Sequence, residues 1–290
     1  MILSYHPCFV GDQNRLCAGR NPDGADLRAI GRADAVILPQ GTSARLYEMA
    51  TKNCRHVFPN YTARYRYPGK SAQIRLFQKI QTPHPTTWLY NSFREYHRET
   101  GARNLPKGLQ YPCIFKFDWG GEGDNVKLLR RPQDLAGALE AASACEQTGQ
   151  KGFLLQSAIP AGNRSLRVVV IGQKESAYWK IQPDAQNICA GVRKGAWIDP
   201  DSDPSLQQIG IERSRRVCTK TGINLAAFDL LFAEIPGKTE PLFLEINYYF
   251  GRKGLGGSKA FYEKLIHEIR NWIHRNRLKQ PCTRKRMKQS

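Results

Sequence analysis

The segment from Leu242 to Asn247, LFLEIN, places a carboxylate and an amide in an otherwise apolar run. A short apolar run of this kind predicts a buried strand. Because side chains alternate along a strand, Glu245 and Asn247 are expected on the same face, roughly 7 Å apart. A buried carboxylate is costly unless it is paired or binds a metal, so this strand predicts a polar site inside the protein.

A second acid and an arginine lie in neighbouring apolar runs. Asp229 lies within the predicted strand Leu225 to Phe232, and Arg167 lies in SLRVVVIG. Two carboxylates and an amide are hard oxygen ligands that suit Mg²⁺ bridging phosphate groups. Arg167 can hold a carboxylate or a phosphoryl group by two-point hydrogen bonding. The alternative is that arginines in the core neutralise the acids, with Arg167 paired to Asp229 or Glu245, and the sequence leaves both interpretations open.

A glycine-containing loop follows the predicted strand Cys113 to Phe117. Lys116 leads into WGGEGD, where Gly120, Gly121 and Gly123 allow backbone N–H groups to turn toward one anion. The pattern suits a polyphosphate but is not a Walker loop, since no GK[ST] follows. An ordinary hairpin loop is the alternative.

Further polar residues follow Arg167 along the chain. Lys180, Asn187 and Arg193 extend the basic character over the next strand and loop, although such residues are also common on surfaces.

The apolar periodicity predicts an α+β fold with short neighbouring strands and inserted helices. We expect a small α/β lobe over residues 1–68, followed by a larger domain over 69–277 and a basic tail over 278–290. The larger domain is expected to divide into 69–160 and 161–277, with its sheet covered on one face. Strands are predicted over Ile2–Tyr5, Ala35–Leu38, His56–Phe58, Thr86–Tyr90, Cys113–Phe117, Val126–Leu129, Phe153–Ala158, Leu166–Ile171, Ser176–Gln182, Leu225–Phe232 and Leu242–Ile246, and helices over Ser43–Lys52, Lys70–Ile80, Pro132–Gln147, Pro204–Thr221 and Ser258–Arg277.

Composition narrows the class of protein. The chain has 290 residues, 41% of them hydrophobic, and lacks the roughly 18-residue apolar run of a membrane span, so we expect a globular protein without a membrane partner. Eight scattered cysteines without a CxxC pair predict reduced thiols and a cytoplasmic location. The net charge of +19 favours anionic partners. The stretch from Arg270 to Ser290 has eight Lys or Arg and no acid, which indicates a solvated tail or a contact for nucleic acid.

Seven segments occur in an order that resembles the ATP-grasp superfamily, and within it the RimK-type ligases and glutathione synthetases. The resemblance covers roughly Lys70 to Leu265 and rests on the order of the segments, because no one of them is specific. They are PCIFKFDWGGEG, FLLQSAI, GNRSLRVVVIG, AYWKIQ, QNICAGVRKG, AAFDLLF and PLFLEINYYFG.

The resemblance implies a role for each matched residue. Lys70 and Lys116 would bind the ATP phosphates beneath a lid formed by Gly120 to Gly123. Gln156 would end the strand before an adenine hinge at Ser157 to Ile159. The magnesium ligands would be Asp229, Glu245 and Asn247. Arg167 would steady the acyl phosphate, and Lys180 and Asn187 would support it.

The implied reaction joins a carboxylate to an amine. The substrates would be small molecules or peptides, the cofactors ATP and Mg²⁺ with Mn²⁺ as a substitute, and homodimers or homotetramers are compatible with the family. A kinase on the same fold, or a non-catalytic module that binds nucleic acid or an acidic protein, are the alternatives. The sequence departs from the family at Ser157, Ser165 and Phe250, where an acid, an aspartate and a proline are usual. These departures leave open the choice of ATP or GTP and the nature of the acceptor site.

Overall fold

The computed structural model of the protein describes residues 1–101, 104–120, 125–183, 195–235 and 237–281. Its strands form three sheets, which follow one another along the chain. None of the helices in these ranges combines the length and the apolar character that a membrane crossing needs.

The first sheet is parallel and small. Its strands pair in the order β2-β1-β3-β4, and β1 and β3 are buried along their whole length, as is usual for parallel strands. Ser43 caps α2, and Asp23 with Asp26 forms a capping box on α1. The elements are β1 (Ile2–Ser4), β2 (Gln13–Asn14), α1 (Gly24–Gly31), β3 (Ala35–Ile37), α2 (Ala44–Asn53), β4 (His56–Phe58) and α3 (Thr62–Arg66).

The second sheet is antiparallel, in the order β5-β8-β6-β7. Strand β6 alternates strictly: Cys113, Phe115 and Phe117 pack on helix α6, whereas Ile114 and Lys116 face a cavity. Helix α4 (Gly69–Lys79) precedes this sheet along the chain. The elements that follow it are β5 (Thr87–Tyr90), α5 (Phe93–Thr100), β6 (Cys113–Phe117), β7 (Val126–Leu129), α6 (Pro132–Gln147) and β8 (Phe153–Ser157).

The third sheet has five antiparallel strands in the order β11-β10-β9-β12-β13. Its elements are β9 (Arg164–Ile171), β10 (Lys174–Ile181), β11 (Trp197–Asp199), α7 (Pro204–Thr221), β12 (Leu225–Ile235), β13 (Lys238–Asn247), a 3₁₀ turn (Lys253–Leu255) and α8 (Gly257–Arg275).

Helices pack on both faces of this third sheet, so the expectation that it is covered on one face is wrong. Leu166 and Val168 belong to the core that includes Val217 of α7. Val169 and Ile171 point the other way and pack with α8 and the first sheet. Alternation along β9 therefore supplies both faces with apolar side chains.

The predicted strands and helices agree with the structure to within a few residues, and β12 and β13 run longer than predicted. Three helices, α1, α3 and α5, and two short strands, β2 and β11, were not predicted. The domain boundaries at 68 and 277 stay a prediction. The described cysteines are free, and Cys189 and Cys282 lie outside the described ranges.

Candidate active site between the second and third sheets

A cavity of about 380 Å³ separates the second sheet from the third. Ile114 and Leu128 form its apolar wall on the second sheet, and Leu231 and Leu244 face them from the third. Its back is the connection from β8 to β9, which includes the predicted hinge backbone at Ser157 and Ile159. The cavity thus combines an apolar slot with the charged floor described next.

Three side chains of the floor lie opposite one another across three strands, and the buried Tyr178 extends their row on a fourth strand. Tyr178 pairs with Arg167, Arg167 with Asp229, and Asp229 with Glu245. A register shift after Asp229 pairs Leu230 with Phe243, which leaves Leu244 as the extra residue of a β-bulge. Because of this bulge, Glu245 lies directly opposite Asp229.

Asp229 is the counterion of two buried cations. Arg167 donates to both of its carboxylate oxygens, from Nε at 2.8 Å and from Nη2 at 2.7 Å, and Lys180 Nζ lies 3.0 Å from Oδ2. Asp229 is 3% exposed and Lys180 6% exposed. Arg167 therefore pairs with Asp229, which is one of the alternatives that the sequence left open.

Burial and charge compete in setting the pKa values of this triad. Burial raises the pKa of Asp229, but the charges of Arg167 and Lys180 outweigh it and leave the pKa below its ordinary value. Burial lowers the pKa of Lys180, and the attraction of Asp229 offsets only part of that effect. For Arg167, Asp229 outweighs burial and the pKa is raised.

Glu245 and Asn247 complete the acidic side of the floor. Asn247 Nδ2 donates to Glu245 Oε1 at 3.0 Å and to Asp229 Oδ2 at 3.1 Å, so the amide joins the two carboxylates. Burial lowers the pKa of Lys70, and the charges of Glu245 and Asp118 oppose that shift.

These residues fit a divalent cation by the chemistry of their donors. Among the described residues there is no group of three His, Cys, Asp or Glu side chains at metal-binding distance, and the candidate set is instead two carboxylates and one amide. All three supply hard oxygen atoms once the Asn247 amide turns its oxygen inward, and Mg²⁺ needs few protein ligands when phosphate oxygens and water fill the others.

Two further lysines, one on β6 of the second sheet and one on α4, complete the charged lining of the cavity. Lys116 Nζ donates to Gln156 Oε1 at 2.8 Å, and Gln156 Nε2 donates to Thr87 Oγ1 at 2.8 Å. Lys70 Nζ donates to the carbonyl oxygens of Trp119 and Gly120, at 3.2 and 2.8 Å. Lys70 and Lys116 both line the cavity, and Lys70 also fixes the start of the glycine loop.

Gly120 has a conformation that requires glycine. Its φ is +78°, and a Cβ there would lie 2.1 Å from Asn125 Nδ2. The remaining predicted site residues Gly121, Gly123 and Asn187, as well as Arg193, lie outside the described ranges.

Two residues that the sequence reasoning missed support the floor. Gln73 on α4 accepts from Ile246 N at 2.8 Å and donates to Ile246 O at 3.0 Å, so its amide pairs with the outer edge of β13. Tyr178 lies opposite Arg167 in the register of β9 and β10, and its ring packs on Gly254. Tyr178 was detectable, since it lies two residues before Lys180 in a predicted strand and so shares its face. Gln73 gave no such signal.

Several solved structures match the chain over most of its length at low sequence identity. A RimK-domain ATP-grasp protein from Sphaerobacter thermophilus is 15% identical, with 92% of this chain and 98% of that chain covered and a TM-score of 0.59. An N5-carboxyaminoimidazole ribonucleotide synthetase in its ADP complex is 14% identical, with 97% and 71% covered and a TM-score of 0.60. The VanG D-Ala:D-Ser ligase from Enterococcus faecalis is 14% identical, with 83% and 73% covered and a TM-score of 0.60.

No family profile matches the sequence, and no curated protein matches it either. The structural matches show that the chain has the ATP-grasp fold, which confirms the fold predicted from the order of its motifs.

Proposed function

We propose that the protein is an ATP-dependent carboxylate-amine ligase. The observation that carries the proposal is the row Arg167, Asp229 and Glu245 with Lys180 and Asn247, which forms the floor of the inter-sheet cavity of an ATP-grasp fold. Solved structures of this fold include a D-Ala:D-Ser ligase and a synthetase crystallised with ADP. Small carboxylate and amine substrates are the corresponding proposal for this chain.

The nucleotide would lie between the apolar slot and the lysines. Ile114, Leu128 and Leu244 offer flat apolar contact for a base, and the backbone of Ser157 to Ile159 lies at the same end. Lys70 and Lys116 lie where the phosphates would extend toward the floor. The glycine loop, which Lys70 joins through Gly120, would cover them.

Asp229, Glu245 and Asn247 would hold the metal. When bound, Mg²⁺ would neutralise charge that develops on the phosphate oxygens during transfer. Arg167 is fixed by its two bonds to Asp229, so its guanidinium is oriented toward the cavity before any substrate binds. Such preorganised positive charge is the form of electrostatic catalysis that phosphoryl transfer uses.

The proposed chemistry has two steps. A carboxylate oxygen of the acid substrate attacks the γ-phosphorus of ATP, ADP leaves, and an acyl phosphate forms near Arg167 and Lys180. The amine substrate then attacks the acyl carbon, phosphate leaves, and the proton lost from nitrogen goes to the departing phosphate or to water. Reduced thiols and ATP are both found in the cytoplasm, which is the location that belongs with this proposal.

Phosphate release with a panel of acids and amines tests the proposal, with ATP and GTP compared. A ligase yields nucleoside diphosphate, phosphate and a new amide, whereas a kinase yields a stable phosphorylated product, and mass spectrometry separates the two. Glu245→Gln should abolish turnover, and Glu240→Gln on the same strand, paired with the exposed Lys238, should not. Full turnover by Glu245→Gln would contradict the proposed site.

A further inference from the structure

Two arginines near the cavity are held by aromatic rings. Arg64 of α3 lies over the rings of Tyr61 and Tyr65, with its Cζ at 5.0 and 5.2 Å from the centroids. Arg252, just after β13, lies over Phe261 and Tyr262 at 4.8 and 4.5 Å. Neither guanidinium forms an ion pair with a carboxylate within the described ranges, and each is partly exposed. Ring contacts fix a cation without using its hydrogen-bond donors.

Both arginines meet at Gln40. Arg64 Nη1 donates to the Gln40 carbonyl oxygen at 2.6 Å, and Arg252 Nη2 makes a long contact of 3.5 Å to Gln40 Oε1. The second contact of Arg252, to Ser258 Oγ, is also long at 3.4 Å. Two like charges that share one glutamine repel each other, and an anion between them would remove that repulsion.

The cluster lies at the carboxyl edge of the parallel first sheet. Gln40 follows β3, and His6 follows the adjacent strand β1. Ligands of open α/β sheets bind at this edge. Burial first, and then the charge of Arg252, lower the pKa of His6 to about 4, so its ring is neutral at pH 7. Its Nδ1 accepts from Cys8 N at 3.1 Å, so the proton of the neutral ring is on Nε2.

A buried hydroxyl lies beside the same loop. Thr42 is 5% exposed, and its Oγ1 has no hydrogen-bond partner within the described residues. It directly precedes Ser43, the residue that caps α2, so it lies at the positive end of that helix. An unsatisfied buried hydroxyl and a helix N-terminus both favour an anionic ligand.

The cluster also adjoins the floor of the cavity. Gln40 Nε2 contacts the carbonyl oxygen of Tyr248, the residue after Asn247, at 3.5 Å. Phe250 and Gly251, which precede Arg252, line the cavity itself. Arg252 therefore directly follows two residues of the cavity lining, and the arginine pair adjoins that end of the cavity.

We propose that Arg64, Arg252 and Gln40 bind a second anionic group of the acid substrate, so that the preferred acid is a dicarboxylate or a phosphorylated carboxylate. The inference rests on the proposed function, because it assigns the far end of the molecule whose carboxylate is activated. In the proposed function, ATP and the reacting carboxylate are bound by Lys70, Lys116, Arg167 and Lys180. The two arginines, Arg64 and Arg252, therefore remain available for another anion. Guanidinium forks suit carboxylate and phosphate oxygens equally.

Three probes with one carbon skeleton test this proposal by calorimetry at constant ionic strength. Succinate and 3-phosphonopropionate carry a second anion, and butyrate replaces it with a methyl group. We expect succinate or 3-phosphonopropionate to bind the wild-type protein at least tenfold more tightly than butyrate, and the tighter of the two identifies the second group. Arg252→Ala should reduce its affinity to that of butyrate.

The controls separate loss of the fork from loss of charge or fold. Arg252→Lys keeps the charge and should retain part of the preference, whereas Arg216→Ala, an exposed change on α7 with the same loss of charge, should retain all of it. Equal affinity of the three probes for the wild-type protein, absence of binding by all of them, or an undiminished preference in Arg252→Ala would overturn the proposal. ATP should still raise the melting temperature of Arg252→Ala. If ATP does not stabilise the wild-type protein, the proposed function is overturned, whereas the result with the three probes still stands.

Discussion

Replacing Asp229 by asparagine keeps its shape and removes the negative charge between Arg167 and Lys180. The carboxylate is 3% exposed and lies within 3.0 Å of both cations. Removing one partner of a buried ion pair costs about 3–5 kcal/mol, because the remaining charge stays buried and uncompensated. At about 2–4 °C per kcal/mol for chains approaching this length, the melting temperature should fall by roughly 6–20 °C.

The loss in Asp229→Asn should depend on pH through Lys180. Burial already lowers the pKa of this lysine, and without Asp229 the pKa should fall further. A lysine whose folded pKa lies below its unfolded value binds more protons in the unfolded state, so stability rises with pH up to its ordinary pKa of about 10.4. Urea denaturation at pH 7 and pH 9 should show the variant recovering part of its deficit at the higher pH.

Two further variants make this prediction sharper. Lys180→Met combined with Asp229→Asn removes one uncompensated cation and should recover part of the stability. Glu175→Gln breaks a two-point pair with Arg215, which is 56% exposed, and should cost at most about 1 kcal/mol. If Asp229→Asn lies within 1 kcal/mol of the wild-type protein, or its deficit is the same at both pH values, Asp229 is not the buried counterion.

Two other substitutions probe the cavity lining and the buried packing beside it. Lys116→Met should weaken ATP binding at least tenfold in a calorimetric titration with little change in melting temperature, while Lys127→Met on the exposed side of β7 should leave both unchanged; equal affinities would remove Lys116 from the nucleotide site. Gly254→Ala places a Cβ within 2.3–2.6 Å of the Tyr178 ring and should cost about 1–3 kcal/mol of unfolding free energy, whereas Gly137→Ala in α6, where the added Cβ meets no atom within 4 Å, should not destabilise the protein. An undiminished melting temperature for Gly254→Ala would show that the ring moves aside.

The polar residues that each single strand contributes to the site were predictable from the sequence. Alternation places Glu245 and Asn247 on one face of β13, and an ionised residue in each of two apolar runs marked Arg167 and Asp229. The pairing of these residues was not predictable, because it depends on register. The bulge at Leu244 decides which residue faces Asp229, and no periodicity in the sequence indicates where a bulge occurs.

Two physical causes account for most of the missed elements. Helix α5 buries one side chain, Tyr96, and strands β2 and β11 have two and three residues, so none of them repeats an apolar pattern. Helix α1 is fixed by its capping box and by the ion pairs of Asp26 with Arg15 and Arg20. Those ion pairs join residues that the sequence alone does not connect, whereas the capping box is a local signal within the sequence.

Helix α8 covers only part of one face of the third sheet, and this explains the position of the charged residues. On β9, Val169 and Ile171 lie under α8, and Arg167 is the next side chain on the same face beyond that cover. On β12, Leu225 and Ala227 are covered in the same way before Asp229.

The apolar half of the face thus anchors the strands, and the half that α8 leaves uncovered carries the charges and forms the cavity floor. Rigid packing under α8 holds Arg167 and Asp229 at their distances before ligands arrive, which is the condition that electrostatic preorganisation requires. A substitution that loosens α8, such as Leu265→Ala, should therefore lower turnover as well as stability, although Leu265 lies outside the cavity lining.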